Sequence, residues 1–240
     1  MQMSSASKVF PRLFEHQELD STNLELQRQN LQELEEFSAV MALSQTSGKG
    51  RLGRNWQSPR GCSLSLSVLI KPRDEAEFNW VTLTAALAVK QAVDQLGIQA
   101  RVKWPNDLLV DGKKLCGILA TLEDKCVILG IGVNLKPWEG QLDTATSLQE
   151  LGAEVSADQL AGLIGLHLTE LVRSFRLDAN RVQSEFRAIC QTIGEQVKAE
   201  LPNGKELYGV AQTVNDLGQL VILSPEPIAL SAADVWHLRN

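Results

Sequence analysis

Two hydrophobic periods alternate along this chain, and elements end where one gives way to the other. The clearest period of two runs from Cys62 to Ile70, where Cys62, Leu64, Leu66, Val68 and Ile70 alternate with Ser63, Ser65 and Ser67. Apolar residues at every second position predict a strand with one face in a core. An apolar run from Ala39 to Leu43 predicts the strand before it, and a lead strand at a sheet edge is expected near Val9 to Phe14. The helical period appears at Val81, Ala85, Ala88, Ala92 and Leu96 and stops at Gly97. It returns at Leu160, Leu163, Ile164, Leu168, Leu171 and Phe175 behind a Ser156-x-x-Gln159 cap, with a further helix over about 180 to 192. Near the start, Thr22-Asn23-Leu24-Glu25 reads as a capping box for a helix with Leu24, Leu31 and Leu34 as its apolar stripe. Between the two long helices, strands are predicted around Arg101, Leu108, Leu115 to Leu122 and Val127 to Asn134; Pro105 bars a helix and Asp111-Gly112 makes a hairpin turn. From Gln196 the texture changes to short strands with turns at Pro202-Asn203-Gly204 and Asp216-Leu217-Gly218. The predicted class is α+β: a mixed β-sheet flanked by helices over residues 1–193, and a small five-stranded SH3-like barrel over 194–240.

Charge changes this picture. The 240 residues carry a net charge of -6, yet Gly48 to Gly61 holds Lys49, Arg51, Arg54 and Arg60 and no acid. Glycines let backbone N–H groups approach a ligand closely, and clustered cations supply charge where an anion must sit. The segment therefore reads as a clamp for phosphate and carboxylate. Its Gly48-x-Gly50-x-x-Gly53 spelling also fits a dinucleotide-binding turn, but that turn must open a helix, and here Trp56, Pro59 and Gly61 follow. A kinase-like glycine loop between two strands is excluded by the absence of His-Arg-Asp and Asp-Phe-Gly.

Other classes are limited in the same way. No apolar run approaches the ~18 residues of a membrane span, and no secretory pattern opens the chain, so a cytoplasmic protein is expected. Cys62, Cys116, Cys126 and Cys190 lack paired metal spacing, and three fall in predicted strands, which reads as buried thiols. His16, His167 and His237 lie in no motif. A pI near 5.2 offers no basic face for nucleic acid.

Two further segments carry chemistry. Lys103-Trp104-Pro105-Asn106-Asp107 places two charges and an amide beside a turn, with Lys114 shortly after; Gly130 and Gly132 interrupt an apolar strand, as happens where a ligand or another backbone approaches closely. With Asp20-Ser21-Thr22-Asn23, Gln45, the Gly48 to Trp56 loop, Lys114 to Gly117 and Gly130 to Asn134, these pieces occur in the order found in the biotin protein ligases. Across residues 19 to 134 the chain resembles that family, and more loosely beyond.

The resemblance implies a class II synthetase-like catalytic unit that converts biotin and ATP, with Mg, to biotinoyl-5'-AMP and then biotinylates a lysine of the biotin carboxyl carrier protein of acetyl-CoA carboxylase. It assigns Arg51 and Lys114 to catalysis. It assigns Ser21, Thr22, Asn23, Gln45, Gly48, Lys49, Gly50, Arg51, Lys114, Gly117, Gly130 and Gly132 to biotin. ATP falls to Arg51, Arg54, Trp56, Asn106, Lys114 and Asn134, with Trp56 closing over the adenine or the loop edge, and Asn106 and Asp107 help order Mg. Lys49 stands where the family commonly has arginine. Only about 18 residues precede the ligase motifs, too few for the winged helix of the repressor members, so specific DNA binding is not expected; either a monomer or a homodimer is compatible. The barrel is expected to serve nucleotide handling and carrier docking without forming the biotin pocket. Lipoate or octanoyl transfer on the same scaffold, and a silent biotin-binding module, are the alternatives.

Overall fold

The computed structural model describes residues 5–201 and 204–238. After a helical turn at Ala6–Lys8 come β1 (Leu13–His16), α1 (Thr22–Gln27), β2 (Ala39–Ala42), a second short turn at Arg51–Gly53, β3 (Ser63–Ile70) and α2 (Glu75–Asp94). Four strands follow, β4 (Arg101–Lys103), β5 (Asp107–Val110), β6 (Lys113–Glu123) and β7 (Cys126–Asn134), then helices α3 (Ala157–Leu177) and α4 (Ala179–Ile189). The chain ends in β8 (Gln196–Glu200), β9 (Glu206–Val214), β10 (Leu220–Ser224), β11 (Glu226–Leu230) and β12 (Asp234–His237).

The first seven strands form one sheet in the order β1-β2-β3-β7-β6-β5-β4, mixed because β1 runs parallel to β2 while the other pairs are antiparallel. Its two faces differ. One carries Leu64, Leu66, Val68, Ile70, Leu129, Ile131 and Val133 into a core shared with α2 and α3. The other is covered only in part: Leu26, Leu31 and Leu34 pack on Val40, Leu69 and Ile128 at one end, and the rest is left for a cavity. The β3 serines lie on this second face, so the alternation that marks a half-solvated strand ends up buried on both sides.

Several boundaries depart from the sequence pattern. The edge strand begins at Leu13, because Ala6 to Phe10 instead packs on α3, where Gly162 and Gly165 leave it room. Helix α1 ends at Gln27, and its buried apolar residue is Leu26, with Leu24 exposed. Thr22 is no cap: Ser21 precedes the first turn, and the Thr22 hydroxyl turns to Gln45. By contrast, Ser156 and Gln159 form the reciprocal cap expected for α3. Asp111 and Gly112 take positive φ in the β5–β6 turn, as a two-residue hairpin with matching twist requires. Cys62 sits half-buried just before β3, and the other three cysteines are buried; all four are free thiols. Of the turn expected at 202 to 204, the first two residues lie outside the described segment.

The last five strands form an antiparallel sheet, β11-β10-β9-β8-β12. Its apolar residues join the same continuous core as α2 and the large sheet, and Trp80 and Trp104 donate their indole N–H groups to the carbonyls of Asp216 and Gly218. No helix among the described residues is long and apolar enough to cross a membrane.

Candidate active site

Strand register builds the site. Ser65 lies opposite Gly132, Gly132 opposite Gly117, Gly117 opposite Asp107, and Asp107 opposite Lys103, so β3, β7, β6, β5 and β4 each give one residue to a single row. Directly opposed residues share a face. The row is therefore a floor with two glycines at its centre and charge at one end. Beside it Ser67 faces Gly130, and Ser63 faces Asn134. A cavity of about 870 Å³ stands on this floor, large enough for a ligand of nucleotide size or more.

Lys114 reaches the floor through an irregularity. In a regular strand Lys114 and Gly117, three apart, would point to opposite faces. The register of β5 on β6 slips, with Leu108 opposite Cys116 but Leu109 opposite Lys114. This bulge accommodates Leu115 and returns Lys114 to the glycine face. Its ammonium lies 2.7 Å from an Asp107 oxygen and 5.8 Å above the Trp56 ring. The backbone on both sides is strapped down, the Lys114 N–H donating to Thr144 and its carbonyl accepting from Thr146.

The glycine-rich segment folds back on itself as a tight hairpin: Trp56 N–H donates to the Gly48 carbonyl at 2.9 Å and Gly50 N–H to the Arg54 carbonyl at 2.7 Å. A Cβ on Gly48 would stand 2.6 Å from the Trp56 carbonyl oxygen, which excludes any side chain there. Arg51 points inward, donating to Asn106 Oδ1 at 3.3 Å and to the Ala233 carbonyl at 3.1 Å. Burial pushes its guanidinium below the ordinary value, opposed by Asp234 and Asp107. Arg54 pairs with Asp234, whereas Lys49 donates to Asn55 Oδ1 at 3.1 Å. Burial likewise lowers the Lys103 ammonium, with Asp107 opposing.

At the other end of the cavity is a polar lattice. Gln45 Oε1 accepts from the Thr22 N–H at 2.8 Å and its hydroxyl at 3.1 Å; Ser67 Oγ lies 2.7 Å from Thr22 Oγ1 and 2.6 Å from Asn23 Oδ1; Asn23 donates on to Thr121 at 3.3 Å. The Asn23 amide fills the space over Gly130, where a Cβ would overlap it. Ser21, its N–H held by Asp20, lines the same end.

Trp56 stands elsewhere than its position in the loop implies. Its ring lies against Gly132 and Gly117, on the floor itself, and a Cβ on Gly132 would overlap it. Asn134 is fixed by its two donor contacts, to the carbonyls of Lys114 and Thr146, which leaves the buried Oδ1 as an unused acceptor. Asn106 is oriented by its donation to the Ile118 carbonyl, so its oxygen faces Arg51.

The structure thus brings every residue that the resemblance assigned to biotin, ATP or metal to this one cavity or its immediate frame, whereas Arg60, the fourth cation of the glycine-rich segment, lies outside it and donates to Gln17. It adds Ser65, Ser67 and Thr121 beneath the polar end, Trp138 and Leu142 from the loop after β7, and Asp234 and Trp236 from β12. Ser65 and Ser67 offered no signal of their own, since polar residues alternating with Leu and Val read as a solvent face. Asp234 had none, being far away along the chain.

A model of the biotin/lipoate A/B protein ligase family matches residues 13–134, just over half of the chain. The chain belongs to that family. Among ligases of the family, the biotin–[acetyl-CoA-carboxylase] ligase of Mycobacterium tuberculosis is 34% identical over 209 residues, covering 83% of this chain and 79% of its own. The bifunctional ligase/repressor BirA of Bacillus subtilis is 33% identical over 217 residues, 83% of this chain but 66% of its own length. The biotin protein ligase from Aquifex aeolicus, solved in complex with biotin and ATP, superposes with a TM-score of 0.84 at 26% identity, over 95% of this chain and all of that one.

Proposed function

We infer that this chain is a biotin protein ligase, which activates biotin with ATP and transfers it to a lysine of the biotin carboxyl carrier protein of acetyl-CoA carboxylase. The observation that carries the reading is the glycine-floored row with Lys114, Asp107 and Arg51 at its charged end and the Gln45–Thr22–Ser67–Asn23 lattice at the other. It fits a bicyclic urea whose tail ends in a carboxylate. The named relatives and the Aquifex complex support the same substrates.

The ureido ring belongs at the lattice, where Gln45, Thr22, Ser21 and Asn23 offer paired donors and acceptors. Trp56 with the close-approach glycines Gly117 and Gly132 forms an apolar wall for the ring and chain, and Gly130 makes room for the Asn23 amide beside it. The carboxylate then lies between Arg51 and Lys114. Its oxygen attacks the α-phosphorus of ATP, the bond from that phosphorus to the bridging oxygen breaks, and pyrophosphate leaves. Repulsion between two anions is the barrier the protein must lower, and fixed positive charge from Arg51, Lys114 and Arg54 does so. In the second step the carrier lysine amine attacks the acyl carbonyl and AMP leaves with its phosphate.

Asn134 Oδ1 is suited to accept from an exocyclic amino group such as that of adenine, with Trp138 and Leu142 as the apolar flank. Magnesium, bound with ATP, would neutralise phosphate charge, and the hard oxygens of Asp107 and Asn106 would help hold it; no cluster of three or more His, Cys, Asp or Glu side chains stands ready for a metal among the described residues. The Gly48 to Trp56 hairpin, with its Lys49 and Gly50, closes the cavity over the carboxylate.

The test is mass analysis of a biotin carboxyl carrier domain incubated with this protein, biotin and MgATP. A single biotinyl adduct, lost when the acceptor lysine is replaced by arginine, supports the reading. Modification by lipoate in place of biotin would overturn it.

A further inference from the structure

The cations of the glycine-rich hairpin meet an anion that comes from the other sheet. Asp234, first residue of β12, is largely buried, with 12% of its side chain exposed. One of its oxygens contacts Arg54 and the other lies 4.0 Å from Arg51, which also donates to the carbonyl of Ala233 just before it. Asp107, the other carboxylate on the cavity, is engaged with Lys114. By direct contact, then, Asp107 holds Lys114 and Asp234 serves the hairpin. The carboxylate is held on a paired strand, with Asp234 opposite Glu200 and Trp236 opposite Lys198, so it is a fixed point and not a mobile counter-ion. Arg54, by contrast, is 63% exposed and would sample many rotamers without it.

We propose that Asp234 is a positioning residue for the nucleotide: it fixes Arg51 and Arg54 side by side across the junction of the two sheets, so that the triphosphate of ATP meets two oriented guanidiniums. The inference rests on reading the cavity as the biotin and ATP site. Like charges held this close repel one another, and a carboxylate between them offsets that repulsion while setting their geometry. Biotin is held mainly toward Gln45 and Thr22 and meets the pair only through its carboxylate at Arg51, so it depends on Asp234 less than the triphosphate does. The two substrates should therefore respond differently to its loss.

Asp234→Asn keeps the shape and removes the charge. In biotin-dependent exchange of pyrophosphate into ATP, the expected result is a rise of about tenfold in KM for ATP, the scale of one charge-assisted contact, with a smaller change in kcat and a much smaller change in biotin affinity. Arg54→Ala should raise KM for ATP as well, and combining the two should cost less than the product of the single effects, because both break one contact. Asp234→Glu, which keeps the charge on a longer stem, should recover part of the loss. An unchanged or lowered KM for ATP in Asp234→Asn would overturn the proposal, the latter by making Asp234 a competitor of phosphate. Multiplicative effects with Arg54→Ala, or a parallel loss of biotin binding and thermal stability, would overturn it in favour of a merely structural role. Absence of biotin-dependent exchange in the parent protein would instead overturn the reading of the cavity.

Discussion

Single residues of this site act through the space and charge they leave for others. Gly130 is the clearest case, because a methyl group there would overlap the Asn23 amide that ties Ser67 to Thr121. Gly130→Ala is expected to weaken biotin binding at least tenfold, by displacing a rigid polar contact, while ATP binding changes little; isothermal titration with each substrate checks it. Lys114→Ala is expected to act the other way round. Its ammonium matters most as charge gathers on the α-phosphate, so single-turnover adenylation should fall by about 10²-fold or more while biotin affinity falls far less. Collapse of biotin binding with normal adenylation at saturation would contradict that role. Residues of this kind were legible in the sequence where identity itself is unusual, as with glycines inside an apolar strand. They were illegible where an ordinary residue acquires its role by register: Ser65 and Ser67 look like a solvent face until β7 and α1 are placed against them. The place of the Trp56 ring was illegible too, because its position beside the loop says nothing of the floor into which it turns.

Elements are held in place by devices the periodicity does not show. Helix α3 is tied to α2 and to the segment before β2 by Arg176, which contacts Glu77 and forms a two-pronged pair with Glu36 at 2.7 Å. Arg176 and Glu77 are both nearly inaccessible, so Arg176→Ala would leave the Glu77 and Glu36 carboxylates without their cation, with only the Arg73 and Lys71 N–H groups donating to them. A loss of about 3 kcal/mol in unfolding free energy is expected by urea titration. The same cluster sets an acid limb. Burial alone would raise the Glu36 carboxyl, but hydrogen bonds from Arg176 and the Lys71 N–H outweigh it and hold it below its ordinary value of 4.5. A carboxyl lowered in the folded state contributes stability that is present above pH 4.5 and is lost as pH falls through its folded value. Replacing Glu36 by Gln should flatten the fall of the melting temperature in that window, relative to the parent. The long helices and the Ser156 cap of α3 were readable because many residues vote for them; α1 was harder to read because one turn and a half gives the pattern too few votes, and tertiary contacts to Gln45 outrank capping.

At the scale of the molecule, the boundary expected near residue 193 is where strand texture changes, but packing does not stop there. The core runs from α2 through the large sheet into β8, β9 and β10, and β12 supplies Asp234 and Trp236 to the cavity. Removing residues 195 to 240 is therefore expected to strip cover from Trp80 and Trp104 and to abolish cooperative unfolding, seen as loss of the calorimetric transition. A net charge of -6 leads to a second expectation, that this chain shows no sequence-dependent binding to duplex DNA at physiological salt by mobility shift. The small sheet was legible as five strands; its share in the active site was not, because contacts across some 180 residues leave no local trace. The placement of the indoles has an optical consequence. Trp80 and Trp104 are sealed at the seam between the sheets, whereas Trp56 lies on the glycine floor. Emission from the first pair should shift to the red only when the seam parts, and that from Trp56 should change when substrate arrives, so the protein's own fluorescence can separate unfolding from occupancy without any added dye.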